Sequence, residues 1–509
     1  MRCHAAAQLV AVRCGIRPRR RRRPAGGCYS QVVARTHRLF WLSLFALLVA
    51  SRMCHVGILW EGDAYPLAGA RQMLHGRALY RGIWFDKPPL LPMAYLLFGG
   101  AAGWPLRLFG GIYAMLACWV ACGFARDLWS GRAGLWAAGL LGFFLTFGLP
   151  SAVIPAASDL LMLAPHLAAV WMAWKRRPFW SGMLAGVACW LNPKGAFVAA
   201  ACVLFDPAGI GWIATGFAAV SAGMIGWLAA SGSLGAYWEE VWVWGRLYAA
   251  SAPVEQPWRN GAIRTLDWAG FHAALILAAV LGWGRKTVGE TLRWAGWIAL
   301  ALAGVAAGLR FFPRYYFLLL APMVLLAARG FDGAERAGRL RDFALVLLLI
   351  PLMRFGPGYL AAVRDPAWRD TAMDRDSRKA AAAIRAVAEP GDTLFVWGYR
   401  PEIYVYTGLP AGTMYLDSQP LTGVPADRHL TRSDSIEPRE AARRRTELTA
   451  SHPSIVVDGL GPYNPRLALG RFADLRAWLG GYREVARAGQ TIIYRRAAGA
   501  SGAVPRPEK

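Results

Sequence analysis

The chain has 509 residues, of which 56% are apolar and 17% are charged. Its mean hydropathy is positive, and repeated apolar runs of spanning or near-spanning length exclude an ordinary water-soluble protein, since a soluble core would not need them. The formal net charge of +26 suggests an electrostatic partner, but much of that charge is local, and no nucleic-acid motif accompanies it.

The amino-terminal segment is strongly basic. The first 38 residues contain ten arginines and no acidic residue, and Arg19 to Arg23 form an unbroken run. This composition predicts a disordered cytoplasmic leader, residues 1–38, that faces lipid or is absent from the mature protein. A secretory signal is excluded, because a full span follows the basic block instead of a short apolar core with a cleavage site.

The apolar runs that follow predict an all-α polytopic membrane domain over residues 39–357. Several runs are shorter than the ~20 residues that cross a bilayer without tilt or thinning, so their boundaries are soft. The eleven predicted spans are 39–59, 104–125, 133–149, 159–174, 179–192, 195–206, 208–230, 269–284, 294–309, 315–329 and 343–357.

Basic residues orient these spans. The positive-inside tendency keeps the leader cytoplasmic and predicts the same side for four later loops. Those loops contain Arg126 and Arg132; Lys175, Arg176 and Arg177; Arg285, Lys286 and Arg293; and Arg336, Arg339 and Arg341. This path places loops 57–95 and 231–268 and everything after residue 357 outside. A single broken helix over 179–206 would invert all later loops, and the basic loops argue against it.

All eight cysteines occur by position 202, so the region after residue 357 must fold without disulfides. Cys118 and Cys122 share a helix face. Packing between helices explains them better than a metal site does, because two thiols alone make a poor site.

Residues 358–509 are predicted to form a small extracytoplasmic α/β domain. A helical pattern covers 376–388, and strand patterns cover 393–397, 454–457 and 491–494. The turn Gly398-Tyr399-Arg400-Pro401-Glu402 follows the first strand, where α/β sheets often bind ligands, but an ordinary strand-to-helix connection is the simpler explanation.

The first outer loop concentrates charge at a membrane surface. Glu61, Asp63, Asp86 and Lys87 lie among tryptophans and tyrosines. Charges at such a surface need a reason, because a carboxylate there can act as a base and a cation can bind an anionic group.

The motifs of the chain resemble those of polytopic glycosyltransferases that use lipid-linked sugars. The first loop carries Glu61-Gly62-Asp63, Gly76, Tyr80, Trp84 and Asp86-Lys87-Pro88-Pro89-Leu90, and Asp159, Lys194 and Arg310-Phe311-Phe312-Pro313-Arg314-Tyr315-Tyr316 follow in register. The similar families are the protein O-mannosyltransferases, the lipid A aminoarabinose transferases and the transferases that decorate lipopolysaccharide cores. The resemblance covers most of residues 39–500 and implies a C-type glycosyltransferase fold.

Two departures from the family pattern affect the site. Many relatives have adjacent Asp-Glu where Gly62 here separates Glu61 from Asp63, so Asp63 is the better base candidate. The late motif often has a histidine where this chain has Arg314, so a histidine role is absent.

The resemblance and the chemistry together assign roles. Asp63 is the expected base, and Asp159 is expected to help it orient the acceptor. Donor phosphate is expected to bind Lys87 and Arg310, with Lys194 and Arg314 next, and the substrate loop adds Glu61, Tyr65, Tyr80 and Asp86. A single displacement would invert the anomeric centre. His55 and His75 flank the loop acids without a converging ligand set, so metal-independent transfer is predicted.

The expected partners are an undecaprenyl- or related polyprenyl-phosphate sugar, membrane lipids, and a glycan, lipid or protein hydroxyl as acceptor. The expected location is the bacterial inner membrane.

Simpler roles stay open for each residue: Asp63 as a helix cap, Asp159 as a partner of the helix dipole, and the basic residues as interfacial anchors. The second outer loop contains Trp238, Trp242, Trp244 and Trp258, which form either an aromatic belt at the interface or a platform that stacks on sugar rings or covers the donor. A lipid-linked-sugar flippase or a noncatalytic scaffold would share the spans.

Overall fold

A computed structural model describes residues 26–252, 254–284, 287–333 and 338–497, with side chains from residue 35 onward. Residues 1–25 of the predicted leader and the basic-loop residues Arg285, Lys286 and Arg336 lie outside the described residues. The chain divides into two compact units, residues 1–44 and 45–509. The first unit is described only as the amino-terminal part of a helix, to which residues 26–38 belong. Apart from this helix, which continues to Met53, the described elements belong to the second unit.

The regular elements of the membrane part of the chain are helices. Its helices are α1 (Gly26–Met53), α2 (Glu61–Leu74), α3 (Leu90–Leu96), α4 (Trp104–Leu128), α5 (Gly131–Phe144), α6 (Pro150–Val153), α7 (Ser158–Trp174), α8 (Pro178–Leu191), α9 (Gly195–Phe205), α10 (Ile210–Ala230), α11 (Leu234–Tyr237), α12 (Trp244–Ala250), α13 (Pro257–Phe271), α14 (Ala273–Trp283), α15 (Val288–Ala306), α16 (Phe317–Asp332), α17 (Gly338–Leu347) and α18 (Leu349–Arg364). A π-helical segment, Trp238–Val243, joins α11 to α12.

Within the described residues, four helices are long and apolar enough to cross a membrane. They are Trp104–Leu128, Pro207–Ala230, Pro313–Asp332 and Gly338–Arg364, and α13 with α14 makes a fifth if that pair, bent by 81°, is one span. These helices support an integral membrane protein, and each overlaps a predicted span. The full count of eleven stays a prediction.

The chain reverses direction between α8 and α9, as expected for two short helices. Asn192, Pro193 and Lys194 separate them, and Asp206, just after α9, forms a salt bridge back to Arg176, just before α8. A single helix over 179–206 is therefore wrong. Pro193 and the close approach of Gly195 to the backbone of α8 permit this tight reversal.

The region after residue 364 contains the predicted sheet. Its helices are α19 (Ala372–Val387), α20 (Glu402–Thr407), α21 (Gln419–Thr422), α22 (Pro438–Thr449) and α23 (Ala473–Leu479), and its strands are β1 (Leu394–Trp397), β2 (Ile455–Asp458), β3 (Tyr482–Ala488) and β4 (Thr491–Arg496). The strand order is β1-β2-β4-β3, with β1 parallel to β2 and the other pairs antiparallel. Three strands were expected; β3 lacks an apolar run because it is an edge strand whose residues are mostly exposed or half-buried.

One hydrophobic core joins the first loop to this sheet. Leu67 of α2 and Phe85 of the loop belong to the same buried cluster as Leu394 of β1 and Ile403 of α20. A hydrogen bond also connects the two parts: Gln72 Oε1 of α2 accepts from the backbone N–H of Ala411 in the carboxyl-terminal region at 2.8 Å. The first loop is therefore held between the membrane helices and the carboxyl-terminal region.

Candidate active site

The amino terminus of α2 packs tightly on the segment before α7. A Cβ at Gly62 would lie 2.9 Å from Pro155 Cβ, so the glycine between Glu61 and Asp63 permits this approach. Ala157, whose Cβ would lie 3.2 Å from the same added Cβ, is followed two residues later by Asp159 in the first turn of α7. The local packing therefore brings the loop acids and Asp159 to the same part of the molecule.

A cavity of about 360 Å³, here called the central cavity, lies at this junction. The cavity is lined by residues from loop 57–95, the starts of α7 and α9, α12, the segment before α16, and the carboxyl-terminal region. Eight of the ten predicted site residues line it: Glu61, Tyr65, Asp86, Lys87, Asp159, Lys194, Arg310 and Arg314. Asp63 and Tyr80 are not among its lining residues. The roles of all ten stay predictions.

Asp63 is fully buried and fully engaged. Its Oδ2 pairs with Arg107 Nη1 at 2.7 Å, and both side chains are at most 2% exposed. Its Oδ1 accepts from Tyr95 Oη at 3.0 Å and from the backbone N–H of Ala156 at 2.8 Å. The alternative of a helix cap is also not realised, because α2 already begins at Glu61. This placement makes Asp63 a packing anchor and does not favour it as the base.

Glu61 is the loop acid that faces open space. Its side chain is exposed, and it lines the central cavity together with two neighbouring cavities. Within the described residues, no hydrogen bond or salt bridge occupies its carboxylate. Glu61 therefore has free acceptor oxygens where Asp63 has none.

Lys194 places an unpaired amine against the cavity. Among the described residues, Nζ has no hydrogen-bond partner, and it lies 2.7 Å from the centroid of the Tyr315 ring. Burial holds the pKa of this amine well below its usual range, and the nearby Asp159 carboxylate opposes that shift. An anion entering the cavity would supply the missing partner and favour the protonated amine.

Asn192 connects Asp159 to Lys194. Its Nδ2 donates to Asp159 Oδ1 at 3.2 Å and to Ser158 Oγ at 3.1 Å, while its Oδ1 accepts from the backbone N–H of Lys194 at 3.1 Å. Sequence reasoning missed this residue as part of the site. The available signal was a polar amide beside Pro193 and Lys194 at a break between two apolar helices.

Arg314 is a second cation with unused donors. Its Nε lies 3.7 Å from Asp159 Oδ2, and its side chain is 26% exposed. This separation is a weak ion pair and leaves the guanidinium fork free to meet a ligand. Arg314 replaces the histidine of the resembling families, so the cavity gains a permanent charge at that position.

Arg310 is more heavily engaged than the sequence predicted. Its Nε pairs with Asp427 Oδ2 at 2.8 Å, and its two Nη atoms donate to the backbone oxygens of Gly308 and Ser251 at 2.7 and 3.0 Å. Its guanidinium carbon lies 3.4 Å from the Tyr248 ring centroid. Three of the five N–H donors of an arginine are thus used inside the protein.

The two tyrosines of the substrate loop hold its shape. Tyr80 is buried with a φ of +68° and donates from Oη to the Lys87 carbonyl at 2.7 Å. Tyr65 stacks on Phe85 with ring centroids 4.6 Å apart and donates to the Trp84 carbonyl at 3.2 Å. The loop therefore fixes the backbone at Lys87.

Lys87 extends from this fixed backbone to the cavity. Its Nζ pairs with Asp86 Oδ2 at 2.9 Å, and its side chain remains 39% exposed. Asp86 Oδ1 is buried without a hydrogen-bond partner among the described residues. The ion pair holds Lys87 near the cavity while leaving its amine accessible.

The carboxyl-terminal region closes one side of the site. Tyr399, in the turn singled out after β1, lines the central cavity. Arg400 of the same turn is buried and pairs with Asp376 at 2.9 Å. It is not among the residues that line the central cavity. The turn therefore contributes one aromatic side chain and one internal anchor.

The second outer loop also reaches the cavity. Trp242, Arg246 and Tyr248 line it, whereas Trp238 and Trp258 are 56% and 68% exposed. Glu240 binds the first loop, since its Oε2 accepts from the backbone N–H of Phe85 at 2.7 Å. Burial raises the pKa of Glu240 well above its usual range.

The described residues contain no group of three or more histidine, cysteine or acidic side chains that could hold a metal ion. His55 lies among the rings of Trp60, Tyr359 and Trp368. Cys118 is buried in α4 and Cys122 is partly buried in the same helix.

Comparison of the fold with solved structures gives a match over nearly the whole chain. ArnT from Cupriavidus metallidurans bound to undecaprenyl phosphate aligns over 93% of this chain and 99% of its own, with a TM-score of 0.56 and 15% identity. The chain shares the fold of ArnT. ArnT in the apo state aligns over 92% of this chain and 98% of its own, with a TM-score of 0.54 and 15% identity.

The fold expected from the first-loop motif is thus the fold of the two ArnT structures. An Archaeoglobus fulgidus oligosaccharyltransferase in the apo form also matches, with a TM-score of 0.49, 14% identity, and coverage of 87% of this chain and 73% of its own. No protein-family model matches the sequence. No curated protein matches it either.

Proposed function

We propose that the chain is a membrane glycosyltransferase that moves a sugar from a polyprenyl-phosphate donor to an acceptor hydroxyl. One cavity brings together the free carboxylate of Glu61, the accessible guanidinium of Arg314, and the amine of Lys194, which has no hydrogen-bond partner among the described residues, and this juxtaposition carries the proposal. A base and a phosphate site are the two requirements of this reaction. The ArnT fold, seen with undecaprenyl phosphate, agrees with it.

Glu61 is proposed to act as the base. Its carboxylate takes the acceptor O–H proton as the acceptor oxygen forms a bond to the sugar C1. The bond from C1 to the phosphate oxygen breaks, and its electron pair leaves with the polyprenyl phosphate. One displacement inverts the anomeric centre. The proposed base thus lies two residues before Asp63, because the burial and three partners of Asp63 leave no oxygen for an acceptor.

The departing phosphate is proposed to bind Lys194, Arg314 and Lys87. Lys194 gains the partner it lacks, and Arg314 offers a fork suited to phosphate oxygens. Asp159 is proposed to hold Arg314 and, through Asn192, Lys194 in place. Arg310 is proposed to shape the phosphate site mainly through Tyr248, since most of its donors are already bound.

The reaction is proposed to occur on the outer face of a bacterial inner membrane. The positive-inside arrangement of the basic loops supports this orientation, because loop 57–95 and the carboxyl-terminal region then lie on the outer side. A flippase would have no use for a free carboxylate beside the phosphate cations. The cluster at one face therefore favours transfer chemistry over transport.

A reconstituted assay tests the proposal. Purified chain in nanodiscs is incubated with lipid-linked sugars extracted from its host and with host envelope fractions, and mass spectrometry follows the release of free polyprenyl phosphate. We expect release by the parent chain and none by Glu61→Gln. Absence of release from every lipid-linked sugar, together with no binding of undecaprenyl phosphate by native mass spectrometry, would overturn the proposed function.

A further inference from the structure

A second cavity also borders Glu61. This side cavity has a volume of about 490 Å³, which lies within the range of small-molecule sites. It shares Glu61 and Tyr399 with the central cavity, whereas Lys194, Arg310 and Arg314 line only the central one of the two. A carboxylate that borders both spaces can meet a donor from one side and an acceptor from the other.

Most of the wall of the side cavity comes from the carboxyl-terminal region. Asp370, Met373, Arg400 and His429 belong to that wall, and Trp60 and Ser151 represent the membrane part. Under the proposed orientation this region faces the outer aqueous phase. The side cavity is therefore placed to receive a molecule from water, not from the bilayer core.

The charges of the side cavity disfavour an anion. Its cation Arg400 is already paired with Asp376 at 2.9 Å and is only 3% exposed. Burial lowers the pKa of His429 to about 4, so its ring is neutral at pH 7. Asp370 is exposed, and no salt bridge among the described residues neutralises it or Glu61. Unpaired charge facing this cavity is thus negative, and a phosphate or carboxylate there would meet repulsion.

The aromatic side chains of the side cavity suit a sugar ring. Trp60 and Tyr399 flank Glu61, and Trp60 is only 8% exposed. Such rings present flat apolar faces beside polar groups, as carbohydrate C–H surfaces and hydroxyls require. Ser151 and Asp370 add polar oxygens at the rim.

We propose that the side cavity binds the acceptor, and that this acceptor is an uncharged carbohydrate chain presented from the aqueous side. The inference rests on the proposed function and names the substrate class of its second site. One hydroxyl of the bound sugar reaches Glu61, and the sugar C1 of the donor approaches the same carboxylate from the central cavity. Anionic lipids and phosphorylated glycans are excluded as preferred acceptors by the negative lining.

The test uses the full chain in nanodiscs and two separate binding measurements. Saturation-transfer NMR measures the binding of a panel of neutral oligosaccharides and of the same oligosaccharides carrying phosphate, and native mass spectrometry measures undecaprenyl phosphate. Met373→Trp fills the side cavity. Asp370→Lys reverses one charge of its rim, and Asp434→Lys, at an exposed aspartate outside the described cavities, is the matched control.

We expect neutral oligosaccharides to bind the parent chain and Asp434→Lys equally, and Met373→Trp to bind them about tenfold less tightly. Undecaprenyl phosphate binding should be the same in all four proteins. Asp370→Lys should improve the binding of phosphorylated oligosaccharides. Preference of the parent for phosphorylated oligosaccharides, no binding of any neutral one, or no effect of Met373→Trp would overturn the inference. Those outcomes leave the proposed function intact, whereas loss of undecaprenyl phosphate binding by the parent would count against the function itself.

Discussion

Arg310 Nε and Asp427 Oδ2 lie 2.8 Å apart in a salt bridge whose two side chains are 1% and 6% exposed. The pair joins the segment before α16 to the carboxyl-terminal region. Tyr248 Oη also reaches Asp427 Oδ2 at 3.4 Å, and the Tyr248 ring covers the Arg310 guanidinium. One buried carboxylate therefore positions both an aromatic and a cationic wall of the central cavity.

Neutralising Asp427 should alter the central cavity, although Asp427 does not line it, because Asp427 contacts Arg310 and Tyr248, which do. In Asp427→Asn the geometry is nearly kept but the charge that balances Arg310 is lost, and we expect undecaprenyl phosphate binding to change several-fold with an altered salt dependence. Native mass spectrometry at two salt concentrations checks this. Asp434→Asn is the control, and unchanged binding and thermal stability in Asp427→Asn would show that the pair has no part in shaping the cavity.

Glu61 and Asp63 should behave differently when each loses its charge. Glu61→Gln is expected to keep normal abundance and thermal stability while transfer falls roughly a hundredfold or more, as for loss of a general base. Asp63→Asn leaves Arg107 buried without its partner and is expected to lose roughly 3–5 kcal/mol of stability, seen as low abundance or a lowered Tm. A stable, inactive Asp63→Asn beside an active Glu61→Gln would return the base to Asp63.

Lys194→Met should weaken undecaprenyl phosphate binding and raise the thermal stability of the protein. Among the described residues, this buried amine has no hydrogen-bond partner. Its removal is expected to raise the Tm, because the ligand-free protein no longer bears the free-energy cost of burying it. Binding of undecaprenyl phosphate should fall by about tenfold or more, since charge-assisted bonds to phosphate are lost. Lys379→Met, at an exposed lysine of α19, is the control. A lower Tm with normal binding would mean that Lys194 is a structural anchor.

Asp417 should make stability depend on pH. Burial raises its pKa to about 7, the Gln419 N–H opposes that shift and Asp86 adds to it, while Oδ2 has no hydrogen-bond partner among the described residues. A carboxyl whose folded-state pKa is raised stabilises the fold below its unfolded pKa of about 3.9, and that contribution is lost as the pH rises through about 7. Asp417→Asn should therefore raise the Tm at pH 8 and leave it nearly unchanged at pH 4. Parallel Tm curves for the two proteins from pH 4 to pH 8 would contradict this.

The sequence by itself determined the membrane class, the resemblance to C-type glycosyltransferases and most of the polar residues of the central cavity. Apolar length and charge placement are local properties, so Trp104–Leu128 and Gly338–Arg364 were predictable from composition. Strands β1, β2 and β4 were equally visible, because each has an apolar run. The edge strand Tyr482–Ala488 was not predictable, because it buries few side chains and its sequence therefore shows no apolar pattern.

Only the tertiary structure decided which loop acid faces the cavity. Glu61 and Asp63 are two positions apart on one helix and differ by about 200° around its axis, so packing buries one and exposes the other. Which one is buried depends on Arg107, Tyr95 and the backbone of Ala156, whose approach no local pattern encodes. The same holds for Asp427 and Arg310, which lie 117 residues apart in the chain. Long-range pairing of charges is set by the packed fold, since each partner alone reads as an ordinary surface residue.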